Sequence, residues 1–349
     1  MLTIEKRIAA FVKLGELLRT YDDMAIQKGN NQLGVLAKLV DDSYLYNPWF
    51  TPKNVRNAVV SLGNSLAEDK IRKWLQAYDL NSVKESKRVG VVMAGNIPLV
   101  GFHDFLCILV TGHQFLGKLS SNDQKLLPAL AEILIDIEPG FKGQIEFTED
   151  KLQKFDAIIA TGSNNTARYF EYYFGKYPHI IRKNRNGVAV IAGKETKEEL
   201  AVLGKDLFLY FGMGCRSVSK VFVPKGYKFD LLFEALEDYK FVADQFKYNN
   251  NYEYYKSIYL INSVPHFDNG FLLITEDQGY SSPPSVLFYE AYEDIAVLRN
   301  RLKLDSDQIQ CIVCNSTEIE KTIPLGQAQH PELWDYADGV DTMKFLLSL

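Results

Sequence analysis

The sequence has few of the residues on which metal sites and disulfide frameworks depend. Among 349 residues there are only four cysteines and five histidines. The histidines are scattered, and no HExxH pattern occurs. Four cysteines spread unevenly along a chain of this length do not make a disulfide framework. Zinc-dependent hydrolysis and a disulfide-stapled scaffold are therefore disfavoured, and no bound metal is expected.

The sequence also lacks a surplus of positive charge and any long apolar run. Its 39 basic and 44 acidic residues give a net charge of −5, which argues against a nucleic-acid binder with a broad basic face. No apolar stretch reaches the roughly 18 residues that a membrane-spanning helix needs. The first residues are charged and helical in pattern, unlike a signal peptide. We therefore expect a cytoplasmic protein without a membrane span or a nucleic-acid partner.

The order of the apolar segments predicts an α/β protein. A chain of this length is expected to form about two domains. The first eighty residues have helical spacing, with Thr51 and Pro52 predicted to begin one helix. From Arg88 strands alternate with helices, which predicts parallel sheets buried on both faces. A second such block begins near Asn186. The predicted helices span 99–110, 126–137, 166–174, 196–211 and 293–302, and the predicted strands 89–93, 114–119, 145–147, 155–160, 187–191, 218–223, 270–275, 285–289 and 309–313; the Asn- and Tyr-rich stretch at 249–261 is predicted to be an excursion.

One cysteine, Cys215, lies between a predicted helix and a predicted strand. Gly212 and Gly214 precede it and would let the backbone turn sharply, with an N–H beside the sulfur. Arg216 would favour the thiolate, which is the nucleophilic form of the side chain. The alternative is a small buried side chain at a helix–strand junction, a common environment for cysteine. These residues alone leave both interpretations open.

Polar residues follow the first two predicted strands. The turn after the first strand lacks the three glycines of the dinucleotide-binding fingerprint. Asn96 lies in this turn, beyond the carboxyl end of a parallel strand, where ligand sites of α/β proteins gather. Lys118 ends the second strand and could contact a ribose or a phosphate. The alternatives are a turn residue that tolerates an unusual backbone angle and a solvated lysine.

The segment Thr161, Gly162 and Ser163 forms a third turn of this kind, at the start of a predicted helix. Backbone N–H groups there could hold a phosphate, or the turn could serve only as a helix cap. Cys311 and Cys314 form a CxxC pair, but in a strand residues three apart point to opposite faces. A metal site or a redox pair at these two cysteines is therefore disfavoured.

Taken in order, these segments resemble the aldehyde dehydrogenase superfamily. They are most similar to its LuxC-type acyl-CoA reductases, first known from bacterial luminescence operons. The superfamily's motifs are matched by 91–99 (the Asn-Phe-Pro turn), 118–121 (Lys-Pro-Ser-Glu), 160–163 (Thr-Gly-Ser), 212–215 (Gly-Gln-x-Cys) and 324–326 (Pro-Phe-Gly). Two further segments, 47–51 and 329–341, are similar to the reductase branch.

The resemblance implies a division of the chain into three parts. Residues 1–185 would hold a helical amino-terminal region and a Rossmann-like, parallel-sheet cofactor domain. Residues 186–323 would form a second α/β domain, which carries the catalytic cysteine. Residues 324–349 would form a tail that packs back near the domain interface.

The resemblance also implies a reaction. Cys215 would attack a long-chain fatty acyl-CoA, CoA would leave, and NADPH would reduce the bound acyl group to an aldehyde. The Asn96 amide and the backbone N–H of Cys215 would stabilise the oxyanion. The residues implied to contact NADPH are Lys118, Ser120, Ser121, Thr161, Gly162 and Ser163.

Two departures from the oxidising members of the superfamily suggest the direction of the reaction. The general-base Glu of those enzymes is matched by 182–186, and residues 176–194 contain no Asp or Glu. Without that base, attack by water on the acyl-enzyme is disfavoured. Ser121 replaces a Glu that would repel a ribose 2′-phosphate, which favours NADPH. The residue near 276–280 that would contact the nicotinamide ribose is not identified by the resemblance.

Two other functions are compatible with the same resemblance. One is an aldehyde-oxidising dehydrogenase that hydrolyses its thioester, and the other is a catalytically silent scaffold subunit. The acyl donor, CoA or a carrier protein, and the acyl chain length also stay open. The superfamily suggests a homo-oligomer, and acyl-transfer proteins are conceivable partners.

Overall fold

The chain divides into two compact units, each with its own sheet of mainly parallel strands. The structure is a computed structural model that describes residues 2–22 and 31–349. The first unit comprises Met1–Lys183 together with Glu332–Leu349, and the second comprises Asn184–Pro331. The carboxyl-terminal tail therefore belongs with the first unit.

Helices make up the amino-terminal part of the first unit. They are α1 (Ile4–Arg19), α2 (Asn31–Asp41), α3 (Ser43–Tyr46), α4 (Pro52–Ser65) and α5 (Glu68–Leu75). The hydroxyl of Thr51 accepts a hydrogen bond from the backbone N–H of Asn54, and Pro52 is the first residue of α4. The predicted start of this helix is confirmed, because the cap satisfies an N–H that has no partner within the helix.

The first sheet has five parallel strands in the order β3-β2-β1-β4-β5. Val92 in β1 pairs with Lys118 in β2 and with Ala160 in β4, so these three strands end together at one edge. Helix α6 follows β1 and ends at Gly112, whose φ of 94° is readily adopted by glycine. The strands are β1 (Arg88–Val92), β2 (Gln114–Lys118), β3 (Ile145–Thr148), β4 (Ala157–Thr161) and β5 (His179–Arg182), and the helices are α6 (Phe102–Thr111), α7 (Leu126–Ile137) and α8 (Asn164–Phe174).

A buried ion pair joins the sheet of this unit to its carboxyl-terminal tail. The guanidinium of Arg182 donates to both carboxylate oxygens of Asp104, at 2.6 and 2.8 Å. It also donates to the hydroxyl of Thr342, in the last helix, α13 (Thr342–Leu347), at 3.1 Å. The side chains of Arg182 and Asp104 are only 8% and 7% exposed. Residues of β5 and α6 therefore compensate each other's charge, and the hydroxyl of Thr342 links α13 to this pair.

Removing the negative charge of this pair is expected to destabilise the first unit. In Asp104→Asn the buried guanidinium loses its counter-ion, which costs about 3 to 5 kcal/mol of unfolding free energy. Urea denaturation followed by circular dichroism measures the difference. Glu332→Gln is the matched control, because it breaks the Lys70–Glu332 pair at the surface and should cost at most about 1 kcal/mol. Equal losses in the two variants would contradict the expectation.

The second sheet has six strands in the order β11-β6-β7-β10-β9-β8. All neighbours are parallel except β8 and β9. The α/β class and the parallel sheets are thus confirmed. The strands are β6 (Asn186–Val190), β7 (Val218–Pro224), β8 (His266–Asp268), β9 (Leu273–Glu276), β10 (Val286–Tyr292) and β11 (Ile309–Val313), and the helices are α9 (Lys197–Phe208), α10 (Asp230–Leu236), α11 (Phe246–Ile261) and α12 (Ile295–Leu304).

The helix predicted over 196–211 ends earlier than expected. Helix α9 stops at Phe208, and a short turn, Leu209–Gly212, replaces its last residues. Tyr210 and Phe211 have φ values of 53° and 57°, which a right-handed helix does not allow. Both side chains are buried, so tertiary packing overrides the apolar spacing that predicted a longer helix.

The stretch at 249–261, which was predicted to be an excursion from the alternating strands and helices, forms most of helix α11. Gln245 caps the helix by accepting a hydrogen bond from the N–H of Tyr248. Tyr248 and Tyr252 are buried, so packing of one face outweighs the low helix propensity of the three consecutive asparagines. Among the described residues, no helix combines the length and the apolar character needed to cross a membrane.

Candidate functional site

The carboxyl edge of the first sheet brings together the candidate residues of the first unit. Strands β1, β2 and β4 are adjacent and parallel, so the turns that follow them lie at the same edge. In a sheet of this order, the chain leaves β1 and β4 towards opposite sides, which opens a crevice where ligands of α/β proteins bind. The residues gathered at this edge are Asn96 after β1, Lys118, Ser120 and Ser121 at and after the end of β2, and Thr161, Gly162 and Ser163 at and after the end of β4.

The turn that carries Asn96 is held tightly. A Cβ atom at Gly95 would lie 2.4 Å from the hydroxyl oxygen of Ser120, so only glycine fits between the two loops. Leu99 has a φ of 59°, and its N–H donates to a carboxylate oxygen of Asp123 at 3.0 Å. Asp123 also accepts from the N–H of Leu126, at the start of α7. These contacts fix the backbone on both sides of Asn96, which is itself half-buried.

Asp123 is a residue of this edge that the sequence analysis missed. Burial raises the pKa of its carboxyl group, whereas the hydrogen bonds from Leu99 and Leu126 lower it. It lies three residues before Leu126, the first residue of α7, and an acid near the start of a helix is favoured by the helix dipole. That signal was available in the sequence, but the bond to Leu99 joins two loops and could not be predicted from spacing.

Lys118 is anchored to the protein. Its ammonium group donates to the backbone carbonyls of Glu149 and Asp150 at 2.7 and 3.0 Å. These bonds use two of its three N–H groups, and the third is available for a ribose or phosphate oxygen. The carboxylate-bearing residues Glu149 and Asp150 are exposed in the same loop. The ammonium group of Lys118 is therefore held by the protein and not only solvated, and its contact to a ribose or a phosphate stays a prediction.

The two serines after β2 differ in their environment. The hydroxyl of Ser120 accepts from the N–H of Asn122 at 3.3 Å and packs against Gly95. Ser121 is exposed and lines a surface cavity of about 170 Å³ that also involves Tyr46 and Lys125. Ser121 can therefore meet a ligand directly, whereas Ser120 shapes the loop.

The turn after β4 forms the start of helix α8. The hydroxyl of Ser163 accepts from the N–H of Thr166 at 3.2 Å, so Ser163 is a helix cap. A Cβ atom at Gly162 would lie 2.9 Å from the ring of Phe170. Of the two interpretations that the sequence left open, the cap is the one that the geometry shows for Ser163; a phosphate contact by this turn stays a prediction.

Cys215 lies in the second unit, in a tight turn before β7. The N–H of Ser217 donates to the carbonyl of Gly214, and the N–H of Gly214 donates to the hydroxyl of Ser217. Cys215 is exposed, whereas Cys107, Cys311 and Cys314 are buried. The interpretation of Cys215 as a buried side chain is therefore wrong.

The backbone that leads into this turn is strained. Three consecutive residues, Tyr210, Phe211 and Gly212, have positive φ values of 53°, 57° and 74°. Such a conformation costs of order 1 kcal/mol or more at each position other than glycine, and it persists only where the surroundings impose it. The buried rings of Tyr210 and Phe211 provide that constraint. Strain of this kind is common beside functional residues.

A second loop, residues 326–329, holds the Cys215 turn. The Nε–H of Arg216 donates to the carbonyl of Ala328 at 2.6 Å, and the side chain of Gln329 donates to the hydroxyl of Ser217 at 3.0 Å. The loop is itself bound to helix α9, because the N–H groups of Gly326 and Ala328 donate to the two carboxylate oxygens of Asp206 at 2.6 and 2.9 Å. Residues on both sides of the cysteine sulfur are thus fixed.

The segment 182–186, which the resemblance matches to the general-base Glu of the oxidising enzymes, contributes to structural contacts. Arg182 forms the buried pair with Asp104. The first carboxylate after this segment, Glu195, accepts from the N–H groups of Ala192, Gly193 and Lys194 at 2.6, 2.8 and 3.0 Å. The Glu195 carboxylate therefore closes a turn after β6.

The two cysteines of the CxxC pair are both buried. Burial raises the pKa of the Cys314 thiol, and Cys311 donates to the backbone carbonyl of Arg216. In the part of the chain that the structure describes, no group of three or more His, Cys, Asp or Glu side chains could hold a metal ion.

Comparison with solved structures identifies the fold. No protein-family model matches the sequence, and no curated protein matches it. Many solved structures do match. Aldehyde dehydrogenase 21 from Physcomitrella patens, in complex with the reaction product succinate, aligns with a TM-score of 0.65 and 13% identity over 99% of this chain and 84% of its own.

Two further structures contain nicotinamide cofactors. The indole-3-acetaldehyde dehydrogenase AldA of P. syringae, a cysteine-to-alanine mutant in complex with NAD+ and IAA, has a TM-score of 0.62 and 14% identity over 92% of this chain and 74% of its own. The NADP-dependent glyceraldehyde-3-phosphate dehydrogenase of Bacillus halodurans C-125, complexed with NADP, has a TM-score of 0.57 and 14% identity over 91% and 75%. At these identities the similarity shows the fold, which is that of the aldehyde dehydrogenases.

Proposed function

We propose that this chain, which has the aldehyde dehydrogenase fold, is an NADPH-dependent reductase that converts a long-chain fatty acyl-CoA to the aldehyde through Cys215. The observation that carries the proposal is the exposed Cys215 in a turn that strained backbone and a second loop hold in place. The names of the similar structures support the coarser part of it, an oxidoreductase that acts on aldehydes with NAD or NADP.

The reaction begins with acyl transfer to the cysteine. The Cys215 thiolate would attack the thioester carbonyl carbon, the new C–Sγ bond would form, and the bond to the CoA sulfur would break. CoA would leave as a thiolate that takes up a proton. A bound nicotinamide cofactor would supply the hydride that reduces the acyl carbon. Cleavage of the C–Sγ bond would then release the aldehyde and regenerate Cys215.

Negative charge develops on the acyl oxygen in both the transfer and the reduction. The side-chain amide of Asn96 and the backbone N–H of Cys215 would donate hydrogen bonds to that oxygen. The contacts of Gly95, Leu99 and Asp123 hold the Asn96 turn rigid, and such preorganisation is what makes a donor effective in catalysis.

The absence of a general base is the reason for proposing reduction. No carboxylate occurs in residues 176–194, and Glu195 is engaged with three backbone N–H groups. This segment would therefore supply no base to deprotonate a water molecule that attacks the thioester. Because hydrolysis would be slow, the acyl-enzyme would persist until it is reduced.

The residues at the carboxyl edge of the first sheet would hold the nicotinamide dinucleotide. Lys118 has one N–H group left for a ribose or phosphate oxygen, Ser121 is exposed, and the turn at 161–163 opens helix α8. A phosphate near that helix start would be stabilised by the helix dipole. Glu149 and Asp150 would favour an unphosphorylated ribose, whereas Ser121 in place of an acid would favour the 2′-phosphate.

Ser121→Glu tests the preference for NADPH. The added carboxylate should repel the 2′-phosphate and raise the KM for NADPH about ten-fold or more, with little change for NADH. Steady-state kinetics with both cofactors give the two values. Ser121→Ala is the matched control and should keep the preference of the wild type. A wild-type preference for NADH would contradict the proposed role of Ser121.

The proposed function is tested by the stoichiometry of the products. With saturated acyl-CoA of several chain lengths and NADPH, the protein should release free CoA and aldehyde in equal amounts, matched by the NADPH consumed. Acyl carrier protein thioesters, offered in parallel, identify the donor. Oxidation of aldehydes to acids with NAD+, without any reaction of acyl-CoA, would instead support the hydrolysing dehydrogenase. No turnover with any of these substrates would support the scaffold.

We propose in addition that the protein forms a homo-oligomer, as the resemblance to the superfamily suggests. Helix α11 exposes large apolar side chains near its ends, among them Phe246, Leu260 and Ile261, the last of which is 81% exposed. Light scattering should give at least twice the chain mass of 39.7 kDa. A monomer at all concentrations would contradict this proposal.

A further inference from the structure

We infer that Asp206 is a positioning residue that fixes the Cys215 turn through the loop of residues 326–329. Its catalytic consequence rests on the proposed function of Cys215, but the coupling between the two loops does not. Sequence analysis gave no indication of this role, because Asp206 lies within helix α9 and the residues that it binds are about 120 positions further along the chain.

The first link is between Asp206 and the loop. The Asp206 side chain is fully buried, and its two oxygens each accept one backbone N–H, from Gly326 and Ala328. Gly326 has a φ of 80°, and a Cβ atom there would lie 2.9 Å from the carbonyl oxygen of Val202. The loop therefore runs very close to helix α9 in a conformation that glycine permits. The carboxylate compensates two N–H groups that are buried by this approach.

The second link is between the loop and the cysteine turn. Ala328, whose N–H binds Asp206, accepts the Nε–H of Arg216 through its carbonyl. Gln329 donates to the Ser217 hydroxyl, which also accepts the N–H of Gly214. Cys215 lies between Gly214 and Arg216, so each of its neighbours is connected to Asp206 through these hydrogen bonds and the backbone of Ala328 and Gln329. The cysteine N–H proposed to donate to the oxyanion belongs to this turn.

Several charged or titratable groups surround the carboxylate. They are Lys205 on the same helix, Arg216 on the cysteine turn and Tyr239 on the short helix Glu237–Asp244. Burial outweighs the hydrogen bonds and the two cations and raises the pKa of Asp206 to about 6. Because the folded pKa is raised, protonation favours the folded state, and this group adds stability as the pH falls from about 6 towards 4. The same protonation removes one of the two acceptors that hold the loop.

Hydrogen exchange of the wild-type protein and of Asp206→Asn tests the coupling. In the variant, an amide NH₂ would face one of the two backbone N–H groups, so the amides of Gly326 and Ala328 should exchange about ten-fold faster. The amide of Gly214 should also lose protection, because the support of Ser217 is lost. Asp305→Asn is the matched control, since Asp305 accepts from Tyr280 and Arg301 and binds neither loop. Faster exchange at 326–328 with wild-type protection at 214–217 would overturn the inference.

A second variant keeps the test decisive if Asp206→Asn does not fold. Gln329→Ala removes only the half-buried contact to Ser217 and should expose the amide of Gly214 to exchange; unchanged protection would overturn the inference.

The effect of Asp206 on the reactivity of Cys215 is measured by two reactions of the thiol. Acylation by acyl-CoA should fall about ten-fold in Asp206→Asn, whereas alkylation of the exposed thiol by iodoacetamide should change less than about two-fold, because alkylation needs no oxyanion donor. The difference between wild type and variant in acylation should shrink as the pH falls through about 6. Equal loss of both reactions would show damage to the thiol site and would overturn a positioning role. If the wild type is not acylated at all, the proposed function fails, and hydrogen exchange still decides the coupling.

Discussion

The Cys215→Ala variant is expected to lose acyl-CoA-dependent NADPH oxidation by about 10⁴-fold or more, because the proposed covalent intermediate forms on the Cys215 sulfur. Spectrophotometric turnover with the best acyl-CoA measures the loss. The variant should fold normally, since the replaced side chain is exposed. Cys314→Ala is the matched control: it removes a buried thiol from the same unit and should keep most of the turnover.

The result that would contradict this prediction is residual turnover of Cys215→Ala within about ten-fold of the wild type. Such a result would mean that reduction proceeds without the covalent intermediate, against the usual requirement for a positioned nucleophile. It would also leave the strained turn at 210–217 without a catalytic explanation.

The Asn96→Ala variant is expected to lower turnover by about 10²- to 10³-fold, the usual cost of one lost oxyanion donor. Both acylation and reduction should slow, since the acyl oxygen becomes negative in each step. Rapid-mixing experiments, with and without NADPH, separate the two rates. Asn122→Ala is the matched control, because Asn122 is an exposed residue of the neighbouring loop.

An unchanged acylation rate in Asn96→Ala, with the thermal stability of the wild type, would remove Asn96 from the oxyanion site. A loss of activity accompanied by unfolding would not be informative about catalysis by itself. For that reason the melting temperature is measured alongside the rates, and Asn96→Asp, which keeps the size of the side chain but loses the N–H donors, provides a second comparison.

Much of the fold could be predicted because local signals agree with the tertiary structure. The helix at Leu126–Ile137 and the strand at Ile309–Val313 match the predicted bounds, since their apolar runs are buried as the pattern requires. Thr51 and Pro52 begin a helix because the capping hydroxyl and the N–H that it accepts lie within four consecutive residues, 51–54. Where structure depends on packing, the pattern failed: Tyr210 and Phe211, which were predicted to be helical, take left-handed angles.

The residues of the candidate site also differ in whether the sequence could predict them. Cys215, Asn96 and Lys118 could be proposed from motifs at the ends of predicted elements. Asp206 and Asp123 could not, because their importance comes from bonds to residues far away in the sequence or on another loop. Sequence spacing shows which side chains follow the end of a strand. Only the structure shows that a buried carboxylate, Asp206, binds the loop of residues 326–329.

The covalent acyl-enzyme is tested most directly by the mass of the intact protein after incubation with a long-chain acyl-CoA and no NADPH. A gain of one acyl group is expected in the wild type and in Cys314→Ala, located on Cys215 by peptide mapping and absent from Cys215→Ala. Addition of NADPH should remove the acyl group and release the aldehyde. An unlabelled wild type with every chain length, or a label on another residue, would contradict the central claim.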